Sequence, residues 1–396
     1  MVQKKKSAKK APKKPVLKVV KKTMKKPAPA KNKKIPINLA LQGGGSHGAF
    51  TWGVLDELLR DGRLHFDSVT ATSAGSMNAA VMLYGIHKEG PEGGRRYLEE
   101  FWKRVSEASS CFNPMGQFNT KNFETWFPWF PKSLMNNAAG LNYLENIGQT
   151  ISPYKSNPLN INPLRDILSD MIDFNEKWDG FKGTVFISAT NVRLGQARVF
   201  KNEEITLDVL MASATLPYLF QAVEIDGDFY WDGGYTGNPA LWPLFYESEI
   251  RDLLIVHVNP IDRPELPKEA YEIENRINEV TFNESLLAEL RSIQFVQKLI
   301  EGDMLKREYK NKYKDIRLHA IRAEETMRAA GVSTKFDTSW DFLIEMRDAG
   351  RAVAKKWLKD NFATIGKAGS VDIQRDYLDP QRKLNAQVTK KKRSVV

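Results

Sequence analysis

Two apolar segments of this chain run directly into small-residue turns and then into helical spacing, and this pairing constrains the fold more than any other feature. The first is Ile37-Asn38-Leu39-Ala40-Leu41-Gln42, which ends in Gly43-Gly44-Gly45-Ser46-His47-Gly48. Behind it, Phe50, Val54, Leu55 and Leu58 recur at helical spacing across residues 49–59. The second segment, residues 66–72, runs into Ser73-Ala74-Gly75 and a helical stretch at 77–86. Tight strand-to-helix turns of this kind belong to sheets whose strands alternate with covering helices.

Further strands are predicted at 184–190, 197–200, 223–230 and 253–258. The pattern predicts an α/β chain of three layers, with a mostly parallel central sheet between helices. Beyond Pro260 the texture changes to long amphipathic helices at about 268–301 and 338–362, with a short strand at 316–321 between them. We read 261–380 as a helical extension packed on the same core.

Charge is distributed unevenly. Residues 1–34 contain fifteen lysines and no acid, and residues 381–396 add six Lys or Arg, again with no acid. The ends therefore outweigh the net charge of +11, and the body between them carries −10. The Lys, Ala and Pro composition of 1–34 cannot bury enough surface to offset ordering entropy, which predicts a disordered cationic tail. Such a tail is either a solvated solubility segment or attracted to a polyanion such as an anionic membrane. Lacking aromatics to stack on bases, it is not expected to recognise nucleic acid sequence-specifically.

The single cysteine, Cys111, excludes an intrachain disulfide. The longest apolar stretch, near 77–86, is too short to span a bilayer, and Lys18 splits the only apolar run near the N-terminus. The expectation is a cytoplasmic protein, peripheral to a membrane or granule, with no signal peptide or transmembrane helix. No His, Cys or acid cluster has ligand spacing, so neither a metal nor another cofactor is expected.

Three local motifs could carry chemistry. Successive glycines at 43–45 let backbone N–H groups converge on an anion, which suits an oxyanion hole, a phosphate cradle or a plain structural turn. Thr72-Ser73-Ala74-Gly75 stands where a nucleophile elbow would stand, although serine is also a common helix cap. Asp232-Gly233-Gly234 follows a strand and could present a base to a serine, or be an ordinary Asp-Gly turn. The aromatic stretch 112–135, with Trp126 and Trp129 among its residues, suits either an acyl-pocket mouth at a membrane interface or a packed plug.

In order and spacing these motifs resemble the patatin-like phospholipase family over about 37–244. The glycine loop matches Gly43, Gly44, Gly45, Ser46, His47 and Gly48, and the elbow matches Ala71, Thr72, Ser73, Ala74 and Gly75. Asp232, Gly233 and Gly234 match the family's Asp-Gly-Gly motif and lead into Asn238-Pro239. Ala212-Ser213-Ala214-Thr215-Leu216-Pro217 is similar to the small-residue helix ahead of the aspartate strand. The resemblance implies a patatin-like catalytic region at 35–260, with Ser73 as nucleophile and Asp232 as proton acceptor in hydrolysis of lipid acyl esters without metal. Two positions depart from the family pattern: Ala71 replaces a glycine, and His47 replaces a lysine or arginine.

A conventional triad would need a histidine after Asp232, and only His257 and His319 follow it. Both lie in apolar runs and are read as structural. The expected partners are a lipid acyl ester and, through the tail, an anionic surface; the oligomeric state is not specified. Two other readings stay open: a non-catalytic scaffold on the same fold, and an esterase for a storage polyester or neutral lipid.

Overall fold

Alternation along the central strands decides the layering, because both sets of alternate residues are apolar. In β1 (Ile35–Leu41) and β7 (Asp252–His257), Leu39, Leu41, Leu254 and Val256 enter one buried cluster. Their neighbours Ala40, Leu253 and Ile255 enter another on the opposite face. A sheet with two dry faces must be covered on both, which gives the three layers.

The computed structural model describes residues 34–112, 152–176, 181–263, 266–268, 270–309, 312–330 and 333–379. The expectations for 1–33, 113–135 and 381–396 lie outside these residues. Among the described residues no helix is long and apolar enough to cross a membrane.

The other strands are β2 (Leu64–Thr72), β3 (Thr184–Asn191), β4 (Gln196–Lys201), β5 (Val223–Ile225), β6 (Asp228–Asp232) and β8 (Arg317–Arg322). The sheet runs β5-β6-β3-β2-β1-β7-β8, with β4 also on β3. From β3 to β8 the strands are parallel, whereas β4, β5 and β6 are antiparallel additions. The expected strand 316–321 is β8, so the C-terminal region completes the sheet.

Two expectations change in detail. The stretch 223–230 is a hairpin rather than one strand: Asp226 and Gly227 have φ of 52° and 82°, which reverses the chain between β5 and β6. The helix expected at 77–86 runs over Ala74–Phe112 as α2, with a kink at Gly90, where φ is 73° and Pro91 restarts the helix.

Helix α1 (Gly48–Asp61) is buried on every side from Gly48 to Leu59. It lies under the sheet and against α2 and the C-terminal helix, here α3 (Trp340–Asn361). The α1–α3 crossing is made by glycines. A Cβ on Gly53 would stand 1.9 Å from the Arg347 carbonyl oxygen, and one on Gly350 would stand 2.2 Å from that of Phe50. Buried Asp56 ties the same helices together, accepting from Arg95 Nε at 2.9 Å and from Arg351 Nε at 2.7 Å. The opposite face is covered by Ala270–Glu301, here α4, whose Leu286, Leu290 and Ile293 pack on the second cluster.

Candidate active site

β1 and β2 are in parallel register with Leu41 opposite Ala71. Two residues further along each chain, Gly43 and Ser73 therefore leave the sheet side by side. A Cβ on Gly43 would fall 2.6 Å from the Ser73 Cβ, so the approach requires glycine. Ala71 itself is a fully buried strand residue, paired with Leu41 and Ile187, and its methyl group fits within the sheet.

Ser73 has φ 53°, a strained left-handed turn for a residue with a side chain. The carbonyl of Ser73 accepts from Ser76 N–H at 2.8 Å and from Ser76 Oγ at 2.6 Å, where α2 begins. Ser73 N–H donates to Ser213 Oγ at 2.9 Å, and Thr72 Oγ1 donates to the Gly237 carbonyl at 2.7 Å. Ala74 packs against Gly48, and Gly75 passes beneath the Leu41 carbonyl, where a Cβ would stand 2.4 Å from the oxygen.

The Ser73 hydroxyl donates to Asp232 Oδ2 at 2.6 Å. Ser73 is 7% exposed and Asp232 1%. The other carboxylate oxygen, Oδ1, accepts from Gly234 N–H at 2.7 Å. Asp232 N–H donates to the Thr215 carbonyl at 2.8 Å, and Thr190 Oγ1 donates to the Asp232 carbonyl at 2.8 Å. Gly233 lies where a Cβ would meet the Ser188 carbonyl oxygen at 2.2 Å. Burial pushes the Asp232 carboxyl up to about 7, against the opposing pull of Ser73, Gly234 and the positive charge of Lys335. A carboxyl poised near neutrality beside a serine hydroxyl can accept its proton.

The glycine loop is held by amide side chains. Gly43 N–H donates to Asn238 Oδ1 at 2.7 Å, and the Gly43 carbonyl accepts from Asn259 Nδ2 at 2.6 Å. Gln42 Oε1 accepts from the N–H groups of Val258 and Asn259, each at 2.9 Å. The Gly43 N–H thus has an internal acceptor in the Asn238 side chain. The N–H groups of Gly44 and Gly45 carry no acceptor among the described residues. Ser46 and His47 complete a short 3₁₀ turn, and both are buried.

His47 does not put a charge in the loop. Its Nε2 lies 2.8 Å from Thr334 Oγ1, and burial, with Lys335 and Arg263 nearby, pushes its pKa down to about 3. His257 Nε2 meets Asn283 Oδ1 at 3.2 Å. His319 stands between Asp252 and Ser370, 3.1 Å from each. Neither therefore takes the place of Asp232 beside Ser73.

The sequence reading did not assign Asn259, Ser213 or Lys335 to this site. Ser213 lies within the small-residue run already noted, but Asn259 and Lys335 sit in no motif that would mark them.

A family model described as patatin-like phospholipase matches residues 39–245. No curated protein sequence matches the chain. Among solved structures, VipD from Legionella pneumophila is similar at 13% identity, over 89% of this chain and 74% of that one, with a TM-score of 0.37. The complex of full-length SpcU with full-length ExoU from the type III secretion system of Pseudomonas aeruginosa is similar at 14% identity, over 91% and 80%, with a TM-score of 0.27. The family match covers more than half of the chain, and the protein belongs to the patatin-like phospholipase family.

Proposed function

We propose that the protein is a serine acyl hydrolase of lipid esters, of phospholipase A or lysophospholipase type, working through a Ser73–Asp232 dyad. The single observation that carries this reading is the 2.6 Å hydrogen bond from the Ser73 hydroxyl to the buried Asp232 carboxylate. In this reading Asp232 takes the hydroxyl proton as Ser73 Oγ attacks the acyl carbonyl carbon. The N–H groups of Gly44 and Gly45 receive the developing oxyanion, a contribution worth on the order of 10²-fold per donor. The proton passes from Asp232 to the departing alkoxide, and an acyl-serine ester remains. Water, giving its proton to Asp232, then releases the fatty acid and restores Ser73.

The tail completes the reading. Residues 1–34, with fifteen lysines and no acid, draw the enzyme to an anionic lipid surface where its substrate resides. A panel of phospholipids, lysophospholipids, triglycerides and p-nitrophenyl esters tests the assignment, with S73A as blank and a fluorophosphonate probe to label the nucleophile. Hydrolysis retained in full by S73A, or no labelling of Ser73 in the native chain, would overturn it.

A further inference from the structure

The C-terminal region grips the glycine loop at one short turn, Ser333–Phe336. Thr334 meets His47, as described above. The Lys335 carbonyl oxygen lies where it would stand 2.5 Å from a Cβ on Gly45. Lys335 is only 8% exposed, and its Nζ sits 5.6 Å from the centroid of the Phe282 ring. That ring packs in turn on Gly234, whose Cβ would be 2.8 Å from Phe282 Cζ. Lys335 thus joins the two turns: its backbone lies against Gly45, and its ammonium faces the Phe282 ring that packs on Gly234.

Nothing in the ion pairing of the site accounts for it. Among the described residues no carboxylate lies within ion-pair distance of Lys335. The nearby Glu279 is held by Arg263 at 2.8 Å and by Arg276 at 3.0 Å. The charged and titratable groups around Lys335 are Asp232 from the Asp-Gly-Gly turn, Glu279 and Arg276 from α4, Arg263 from the segment after β7, and His47 from the loop. His47 is held neutral, so it cannot supply the positive charge. A lysine with its charge buried and unpaired costs stability that a methionine of similar reach would not. Burial pushes Lys335 down to about 8, which still leaves it mainly cationic at neutral pH.

We propose that Lys335 is a positioning residue for the dyad: its ammonium supplies a positive field that favours the carboxylate, proton-accepting form of the buried Asp232. The catalytic consequence rests on the acyl-hydrolase reading, whereas the effect on Asp232 does not. At separations of several ångströms in a partly buried site, one unit charge moves a neighbouring carboxyl by about one pH unit.

The test uses the full chain and the variants K335M, K335Q and K335R, with thermal unfolding to establish that each is folded. Asp232 is titrated by NMR with ¹³C-labelled aspartate, its signal assigned by its loss in D232N. kcat/KM for a p-nitrophenyl ester is followed over pH in parallel. In K335M and K335Q the Asp232 titration moves up by about one unit. kcat/KM then falls on the order of tenfold at pH 6 but little at pH 9, and K335R restores both. An Asp232 titration unmoved in a folded Met or Gln variant overturns the proposal, even if activity falls equally at every pH. A titration that moves while no variant hydrolyses an ester at any pH upholds the role of Lys335 and removes the acyl-hydrolase reading instead.

Discussion

Thr72 and Asp232 pair with consecutive residues of one strand: Thr72 lies opposite Ser188 and Asp232 opposite Ala189, both in β3. β3 therefore serves as a common ruler. Its first part aligns β2, its last part aligns β6, and Ser73, one residue past Thr72, arrives beside Asp232 although 159 positions separate them. The proximity comes from backbone register in the centre of the sheet, so it does not depend on a flexible loop finding its partner.

Removing either member of the pair should stop ester hydrolysis without unfolding the chain. S73A leaves only background hydrolysis and abolishes fluorophosphonate labelling. D232N keeps the acceptor for Gly234 N–H but loses the base, and kcat/KM falls by about 10²–10⁴-fold. Circular dichroism and p-nitrophenyl ester kinetics check both.

Activity should rise with pH. In the proposed mechanism the reactive form is the Asp232 carboxylate, and burial places its pKa at about 7. kcat/KM therefore increases through that value and levels off above it, provided Ser73 chemistry limits the rate. An acid limb near the ordinary carboxylate range, around pH 4, would contradict the burial of Asp232.

Gly43→Ala places a methyl group against Ser73, 2.6 Å from its Cβ. We expect a cost of about 1–3 kcal/mol in stability and a larger proportional loss in kcat than in KM. Denaturant unfolding and steady-state kinetics on the same preparation separate the two effects.

Asp56→Ala should act on stability alone. It removes the shared acceptor of Arg95 and Arg351 between α1, α2 and α3, whose ion pairs do not involve Ser73 or Asp232. Loss of this buried carboxylate is expected to cost about 3 kcal/mol, read as a lowered denaturation midpoint, with kcat per folded molecule unchanged.

Deletion of residues 1–34 should weaken binding to vesicles containing anionic lipid and leave binding to neutral vesicles unaltered. Hydrolysis of a soluble p-nitrophenyl ester stays at the native rate. Sedimentation with the two vesicle compositions measures the difference, and unchanged binding after deletion would count against the tail as the anchor.

The sequence alone determined what depends on nearest neighbours along the chain. The glycine loop, the elbow at Ser73 and the Asp-Gly-Gly turn are legible because each is a short run of small residues beside a strand, and their order suffices to identify the family. Alternation within β1 and β7 likewise foretells a sheet buried on both faces. The Asp226-Gly227 reversal was present as a turn signal, yet the apolar residues around it read as one continuous strand.

Which backbone groups are free and which charges meet was settled by packing between distant parts of the chain. Gly43 N–H is taken by Asn238, 195 positions away, whereas those of Gly44 and Gly45 meet no acceptor among the described residues. That Lys335 lies against the loop while His47 is neutral follows from how the C-terminal region folds over β1 and α1. Hydrogen-bond satisfaction and desolvation depend on every group brought into contact, whatever its distance along the chain, and local pattern carries no record of them.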